Sequence, residues 1–121
     1  GIVPGFNGTQ RLPKCIGMNK AKEILFTGKM LTAADALELG ILNHVTEPEQ
    51  LMEEVYAMAG QIAGNSASAI SLVKAAVNAG ADMDIDIGKN IELGYMAACF
   101  GTPDQIEGFA SFKEKRAAKF R

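Results

Sequence analysis

The first thirteen residues, Gly1-Ile-Val-Pro-Gly-Phe-Asn-Gly-Thr-Gln-Arg-Leu-Pro13, carry three glycines and two prolines around a polar Asn-Gly-Thr-Gln-Arg core. Glycine opens backbone conformations closed to other residues, or lets another group come close to the main chain. Proline fixes one backbone dihedral. Together they specify a shaped path, not a frayed end. No initiator Met precedes it, so the chain is expected to start within something larger.

Composition narrows the fold class. At 121 residues there is room for one small domain with a modest core. A hydrophobic share of 48% with 21% charged residues suits a soluble globular chain and argues against disorder. Ala, Leu, Ile and Met dominate the apolar set and Trp is absent, which favours helices over strands. A formal net charge of -2 gives no reason to expect nucleic acid as a partner. Apolar runs are too short to cross a bilayer and no signal peptide is visible, so no membrane role is expected. Cys15 and Cys99 match no zinc or redox spacing. They read as buried thiols in a reducing cytoplasm, with a single disulfide as the alternative.

Helix signals recur along the chain. Thr9 to Ile16 predicts a short helix closed by Gly17, and Asn19 to Phe26 a second one ending at Gly28. Thr32-Ala-Ala-Asp35 reads as a capped start, and that helix stops at Gly40. Ile41-Leu-Asn-His-Val45 is the best strand candidate. Pro48 then opens a helix in which Leu51, Val55, Met58 and Ile62 share one face. Asn65-Ser66 punctuates, and Ile70, Val73 and Val77 give the next helix its apolar face. Asp84 starts a helix reaching Phe100, with Ile87, Ile91, Tyr95 and Ala98 aligned. Gly101-Thr-Pro-Asp104 stops that helix and starts the last, which carries Ile106, Phe109, Ala110 and Phe112. These stripes are numerous for so small a body, so some should pack against material outside the chain.

Several chemistries are excluded. Gly28-Lys29-Met30 and Gly88-Lys89-Asn90 lack the Ser or Thr of a phosphate-binding loop, and no G-x-G-x-x-G occurs. Asp82, Asp84 and Asp86 alternate as in an EF-hand. However, Ile87 and Leu93 stand where that loop needs glycine and glutamate. No metal site is expected. His44, the only histidine, has no recognisable nucleophile or acid partner and reads as structural or surface. Glu53-Glu54 reads as the solvated face of a helix. The C-terminal Lys113, Lys115, Arg116, Lys119 and Arg121 face a single acid, Glu114. Charge alone favours cations opposing a helix dipole over a site for a phosphorylated small molecule.

Three motifs in order carry a family resemblance. Gly1-Ile-Val-Pro-Gly5 with Gly8-Thr-Gln-Arg-Leu12 resembles the G-x-x-P-G-x-G-G-T-Q-R-L segment of the enoyl-CoA hydratase/isomerase (crotonase) family. Leu25-Phe-Thr-Gly28, Thr32-Ala-Ala-Asp-Ala36 and Leu39-Gly-Ile-Leu-Asn43 follow in the family's order. Thr102-Pro-Asp-Gln-Ile-Glu-Gly-Phe-Ala-Ser-Phe112 then runs into Glu114-Lys-Arg116, similar to the family's closing T-x-D-x-x-E-G-x-x-A-F-x-E-K-R. The resemblance covers the whole chain.

It implies an α/β crotonase (ClpP/crotonase-like) fold, incomplete here, mostly helical with one or two short strands. Residues 1–45 would be the last part of the spiral core, and 46–121 the C-terminal helical trimerisation region. The expected protein is a short-chain enoyl-CoA hydratase of fatty-acid metabolism, converting a 2-enoyl-CoA to a 3-hydroxyacyl-CoA or the reverse. Alternatives are another crotonase-superfamily enzyme, such as an enoyl-CoA isomerase, or, for the isolated chain, a non-catalytic binding and assembly module. The family's catalytic glutamates and oxyanion-hole amides lie in upstream segments, so this chain resembles the C-terminal half. Expected partners are an acyl-CoA substrate, the missing N-terminal half and further copies in a trimer or hexamer. No cofactor is implied beyond the coenzyme A of the substrate, and the expected compartment is the cytoplasm or mitochondrial matrix.

The resemblance also assigns residues. Gly5 matches the glycine whose backbone N–H helps hold the catalytic water. Lys115 matches the lysine that reaches the CoA phosphates of a neighbouring subunit. Met96 stands where some hydratases place an aromatic residue near the CoA adenine. Phe6-Asn7 replaces the usual small residue and glycine, a change expected to alter the loop near the acyl chain.

Overall fold

The computed structural model describes residues Gly1–Phe120, and Arg121 of the basic tail lies outside the described residues. Two compact units divide the chain, Gly1–Leu51 and the segment from Met52 onward.

In the first unit a loop leads into α1 (Gly8–Ile16), α2 (Met18–Thr27) and α3 (Ala33–Glu38). Asn7 starts α1 in a left-handed conformation, φ 64° and ψ 13°, and its carbonyl accepts from the Gln10 and Arg11 amides at 3.0 and 2.8 Å. α1 packs on α2, and Ala21 on α2 is the one buried apolar residue among those described. The Thr32 cap expected from sequence is complete. Its hydroxyl accepts from the Asp35 amide at 3.1 Å, while the Asp35 carboxylate accepts from the Thr32 amide at 2.9 Å and hydroxyl at 2.7 Å. These donors, the Thr32 amide first, hold the Asp35 carboxyl below its usual range.

The expected strand at Ile41–Val45 does not form, and no strand is present among the described residues. Its first amides are already engaged. Gly40 takes φ 75°, its N–H donates to Leu37 O at 3.0 Å, and the Ile41 N–H donates to Ala36 O at 2.8 Å. This pair of bonds is the Schellman stop, which uses Ile41 to finish α3. A strand also needs a neighbour for its remaining groups, and no other segment among the described residues supplies one. After a 3₁₀ turn at Pro48–Gln50 the chain enters α4 (Leu51–Ala63).

The second unit continues through α5 (Ala67–Gly80), α6 (Ile85–Cys99) and α7 (Pro103–Glu114). α5 and α6, joined by the short link 81–84, pack on each other as a helical hairpin. Their backbones come together where a Cβ on Gly80 would lie 3.7 Å from the Gly88 Cα. The buried side of this hairpin differs from the periodicity reading. Leu72, Ala75, Ala76 and Ala79 are half-buried, along with Gly88, Ile91, Tyr95 and Cys99 of α6. The expected face of Ile70, Val73 and Val77 stays exposed instead, as does Ile87. Small residues let two helices approach, with Leu72 and Ile91 filling the remaining space, while Ile70, Val73, Val77 and Ile87 face away. α4 carries the same message, with Leu51, Val55, Met58 and Ile62 all exposed.

The cysteines also differ from expectation. Both are free thiols; Cys15 is exposed, with its Sγ donating to Gly40 O at 3.3 Å, and Cys99 is half-buried. With so little core inside the chain, a small apolar side chain is not automatically covered.

One polar contact ties the second unit together. Ser66 caps α5 through its hydroxyl, which accepts from the Ala69 amide at 3.1 Å. The same hydroxyl donates to the Asp104 carboxylate at 2.6 Å, a buried contact joining the starts of α5 and α7. Thr102 caps α7, with Pro103 in the first turn as the sequence indicates. Ser66→Ala removes both the cap and the buried bond and is expected to lower stability by about 1–3 kcal/mol in urea denaturation. Ser66→Asp, which restores a cap but sets a carboxylate against Asp104, is expected to remain destabilised. Wild-type stability in either variant would contradict this role.

Candidate functional site

The opening loop is built by two close fits. A Cβ on Gly8 would come within 3.0 Å of the Pro4 Cβ, so a side chain there would push the proline ring aside. Asn7 holds a positive φ, a conformation that glycine enters freely and asparagine tolerates better than most residues. The Asn7 departure from the family's double glycine is therefore conformationally conservative. Asn7→Gly should leave the loop intact, whereas a β-branched residue there would meet left-handed strain of roughly 1–2 kcal/mol.

Gly5 sits between these two points. Its N–H has no acceptor among the described residues, and a Cβ on it would meet nothing within 4 Å. The amide is thus free to bind an external oxygen. Beside it in sequence, Phe6 is 99% exposed. An open cavity of about 600 Å³ is lined by Phe6, Gly8, Arg11, Leu12, Lys14, Cys15 and Ile41. Its lining combines apolar side chains with the cations of Arg11 and Lys14.

The other two candidates lie in the second unit. Met96 is an exposed residue of α6. Lys115 follows α7 in a left-handed conformation, φ 53° and ψ 40°. Its N–H donates to Phe112 O at 3.2 Å and the Arg116 N–H to Ser111 O at 3.1 Å, another Schellman stop. Glycine is the usual residue at such a position; here a lysine occupies it. Its ammonium has no carboxylate partner among the described residues.

The residues that set this turn were not evident from the sequence. Arg116 donates through both terminal nitrogens to the Glu107 carboxylate, at 2.6 and 2.9 Å, and through Nε to Glu114 at 2.6 Å. Glu107 also accepts from the Lys119 backbone N–H at 2.7 Å. The tail is folded back on α7, and the Phe120 ring lies 3.8 Å from where a Gly108 Cβ would stand. The Glu107 of the closing motif thus has a physical reason, since the acid binds the returning tail; a Cβ on Gly108 would only make ordinary van der Waals contact with the Phe120 ring. Glu107 and Arg116 are nine residues apart across a helix end, so no i,i+4 rule points to them. A groove of about 700 Å³ beside this clamp is lined by Gly101, Pro103, Ile106, Ala110, Arg116 and Lys119, among others.

With the loop and the clamp in place, comparison with known proteins decides the family. The sequence matches the family described as enoyl-CoA hydratase/isomerase over residues 1–121. The chain belongs to that family. It is similar to crotonyl-CoA hydratase of Syntrophomonas wolfei subsp. wolfei, 45% identical over 120 residues that cover 99% of this chain and 46% of that protein. Against the short-chain-enoyl-CoA hydratase of Clostridioides difficile, identity is 46% over 113 residues, covering 93% of this chain and 73% of that one. Its backbone follows the crystal structure of enoyl-CoA hydratase from Bacillus anthracis with a TM-score of 0.95 and 37% identity, covering 99% of this chain and 46% of that chain. The fold is therefore that of the crotonases, of which this chain forms a helical portion. It spans about half the length of most of the first curated relatives it matches, 46% of the Syntrophomonas wolfei protein among them.

For the family's closing motif, the clamp predicts a defined pH response. Hydrogen bonds from Arg116, then from the Lys119 amide, lower the Glu107 pKa from its ordinary 4.5 to about 2. A lowered carboxylate pKa stabilises the docked tail fully above the ordinary value, and this contribution is lost as pH falls through about 2. Carboxyl carbon NMR should show Glu107 titrating near 2, with the Phe120 ring moving away from Gly108 over the same range. An ordinary midpoint would show that the clamp does not persist in solution.

Proposed function

We propose that this chain is the C-terminal half of a short-chain enoyl-CoA hydratase. That enzyme would add water across the C2–C3 double bond of a 2-enoyl-CoA: hydroxyl to C3 and a proton to C2. The observation that carries this reading is an unbroken family match along all 121 residues, together with 45% identity to a crotonyl-CoA hydratase. The loop geometry supports it, because the free Gly5 N–H is suited to orient the attacking water. The acids that would activate that water, and the amides that would stabilise the thioester enolate, belong to family segments that this sequence does not include.

Lys115 is assigned to the CoA phosphates, a role suited to a compact cation without a carboxylate partner among the described residues. Met96 is assigned to the surface near the adenine, where a thioether can lie against an aromatic ring. Residues 1–45 are read as the end of the spiral core and 46–121 as the trimerisation region. The exposed faces of α4 to α7 support packing against the N-terminal half and against further copies in a trimer or hexamer. The reaction needs no metal or redox cofactor. Among the described residues no group of three or more His, Cys, Asp or Glu side chains could hold a metal ion, and no helix is long and apolar enough to cross a membrane. Cytoplasm or mitochondrial matrix is the proposed compartment; a mouse relative, 42% identical, is named as mitochondrial.

The family description joins hydratase with isomerase, and the acids that separate the two reactions are outside this chain. Loss of the enoyl-thioester absorbance of crotonyl-CoA by the assembled enzyme is the expected outcome. Migration of a 3,4-double bond without net hydration would favour isomerase. The 121-residue chain alone is expected to be inactive. Gly5→Pro, which removes the N–H, is expected to lower kcat by about a hundredfold. Gly5→Ala keeps the amide and has room for its methyl group, so it should stay near wild type. Equal activity of the two variants would remove Gly5 from the water site.

A further inference from the structure

The lysine after α7 stands where a glycine would be free of strain. A side chain held at φ 53° persists only when its surroundings fix it there. The neighbouring residues do so. Arg116, next in the chain, is fastened to Glu107 by two parallel N–H···O bonds and to Glu114 by a third. Three residues further on, the Lys119 backbone returns to the same Glu107 carboxylate at 2.7 Å. Lys115 is therefore the exposed apex of a turn whose far side is bolted to α7. Its own ammonium takes no part in the bolt.

We propose that Glu107 is a positioning residue for substrate binding: through Arg116 it fixes the Lys115 turn and so aims a cation at the phosphorylated nucleotide end of a CoA thioester. The inference rests on the assignment of Lys115 to the CoA phosphates. Bidentate Arg–carboxylate pairing sets direction as well as energy, which a lone surface lysine lacks. A flexible lysine would have to be ordered each time the anion bound; a pre-set turn removes part of that cost.

The sign of one measurement separates positioning from simple electrostatics. Glu107→Gln removes a negative charge near an anion site, which by Coulomb's law alone would tighten anion binding. Positioning requires the opposite. In the assembled hydratase, E107Q is expected to raise KM for crotonyl-CoA several-fold with kcat little changed. KM for the matching crotonyl-pantetheine, which lacks the nucleotide, should not change. Lys115→Gly, which relieves the strained φ, is expected to raise KM for the CoA thioester about tenfold while leaving thermal stability equal or higher. Combining the two should give no more than Lys115→Gly alone. If E107Q fails to assemble, Arg116→Lys, which keeps the charge but loses the planar fork, carries the same expectation.

A raised KM in Lys115→Gly beside an unchanged or lowered KM in E107Q would overturn the positioning role and leave the Lys115 assignment standing. An unchanged KM in Lys115→Gly would overturn that assignment and this inference with it. Equal losses on both thioesters in E107Q would mark Glu107 as a general structural residue and also overturn the proposal.

Discussion

A helix in water gains most of its stability by burying one face, and in α4 through α7 most of the large apolar side chains remain exposed. This shortage of internal partners governs the rest of the structure. It explains why the α5–α6 hairpin closes along alanines and glycines while Ile70, Val73 and Val77 look outward. It also explains why Cys15 is exposed and why Ala21 alone is buried among the described apolar residues.

Where hydrophobic packing is thin, local polar devices define the path. Thr32 and Asp35 cap α3 reciprocally, and Ser66 caps α5 while reaching Asp104 at the start of α7. Glu107 gathers Arg116 and the returning tail. Each device fixes the end of a helix, where unpaired backbone groups would otherwise need water. Two of the three candidate functional residues sit near such ends. Gly5 precedes α1 and Lys115 follows α7, both in segments whose shape is set by backbone fit more than by burial.

The position after a helix illustrates how one geometry serves two ends. At Gly40 the Schellman stop is made by the residue best suited to it, and the following isoleucine is drawn into the turn. At Lys115 the same bonds form around a lysine, and an ion-pair clamp holds the turn. The first stop only ends a helix. The second presents a charge.

Helix boundaries were legible in the sequence because caps and stops act locally: Gly17, Gly28, Thr32, Gly40, Asp84 and Thr102 all mark the ends that their chemistry indicates. The family was legible too, since its motifs are runs of neighbouring residues. Which helix face is buried was not, because periodicity finds an apolar stripe without saying what will cover it. The strand expected at Ile41–Val45 failed for a related reason: β-structure needs a partner, and propensity cannot supply one. Glu107 and Arg116 stayed hidden because their pairing depends on the tail turning back. The sequence by itself determined where each helix begins and ends and which family the chain resembles. Only the tertiary structure decided which faces meet and which charges pair, because those depend on distances between residues that chain order does not set.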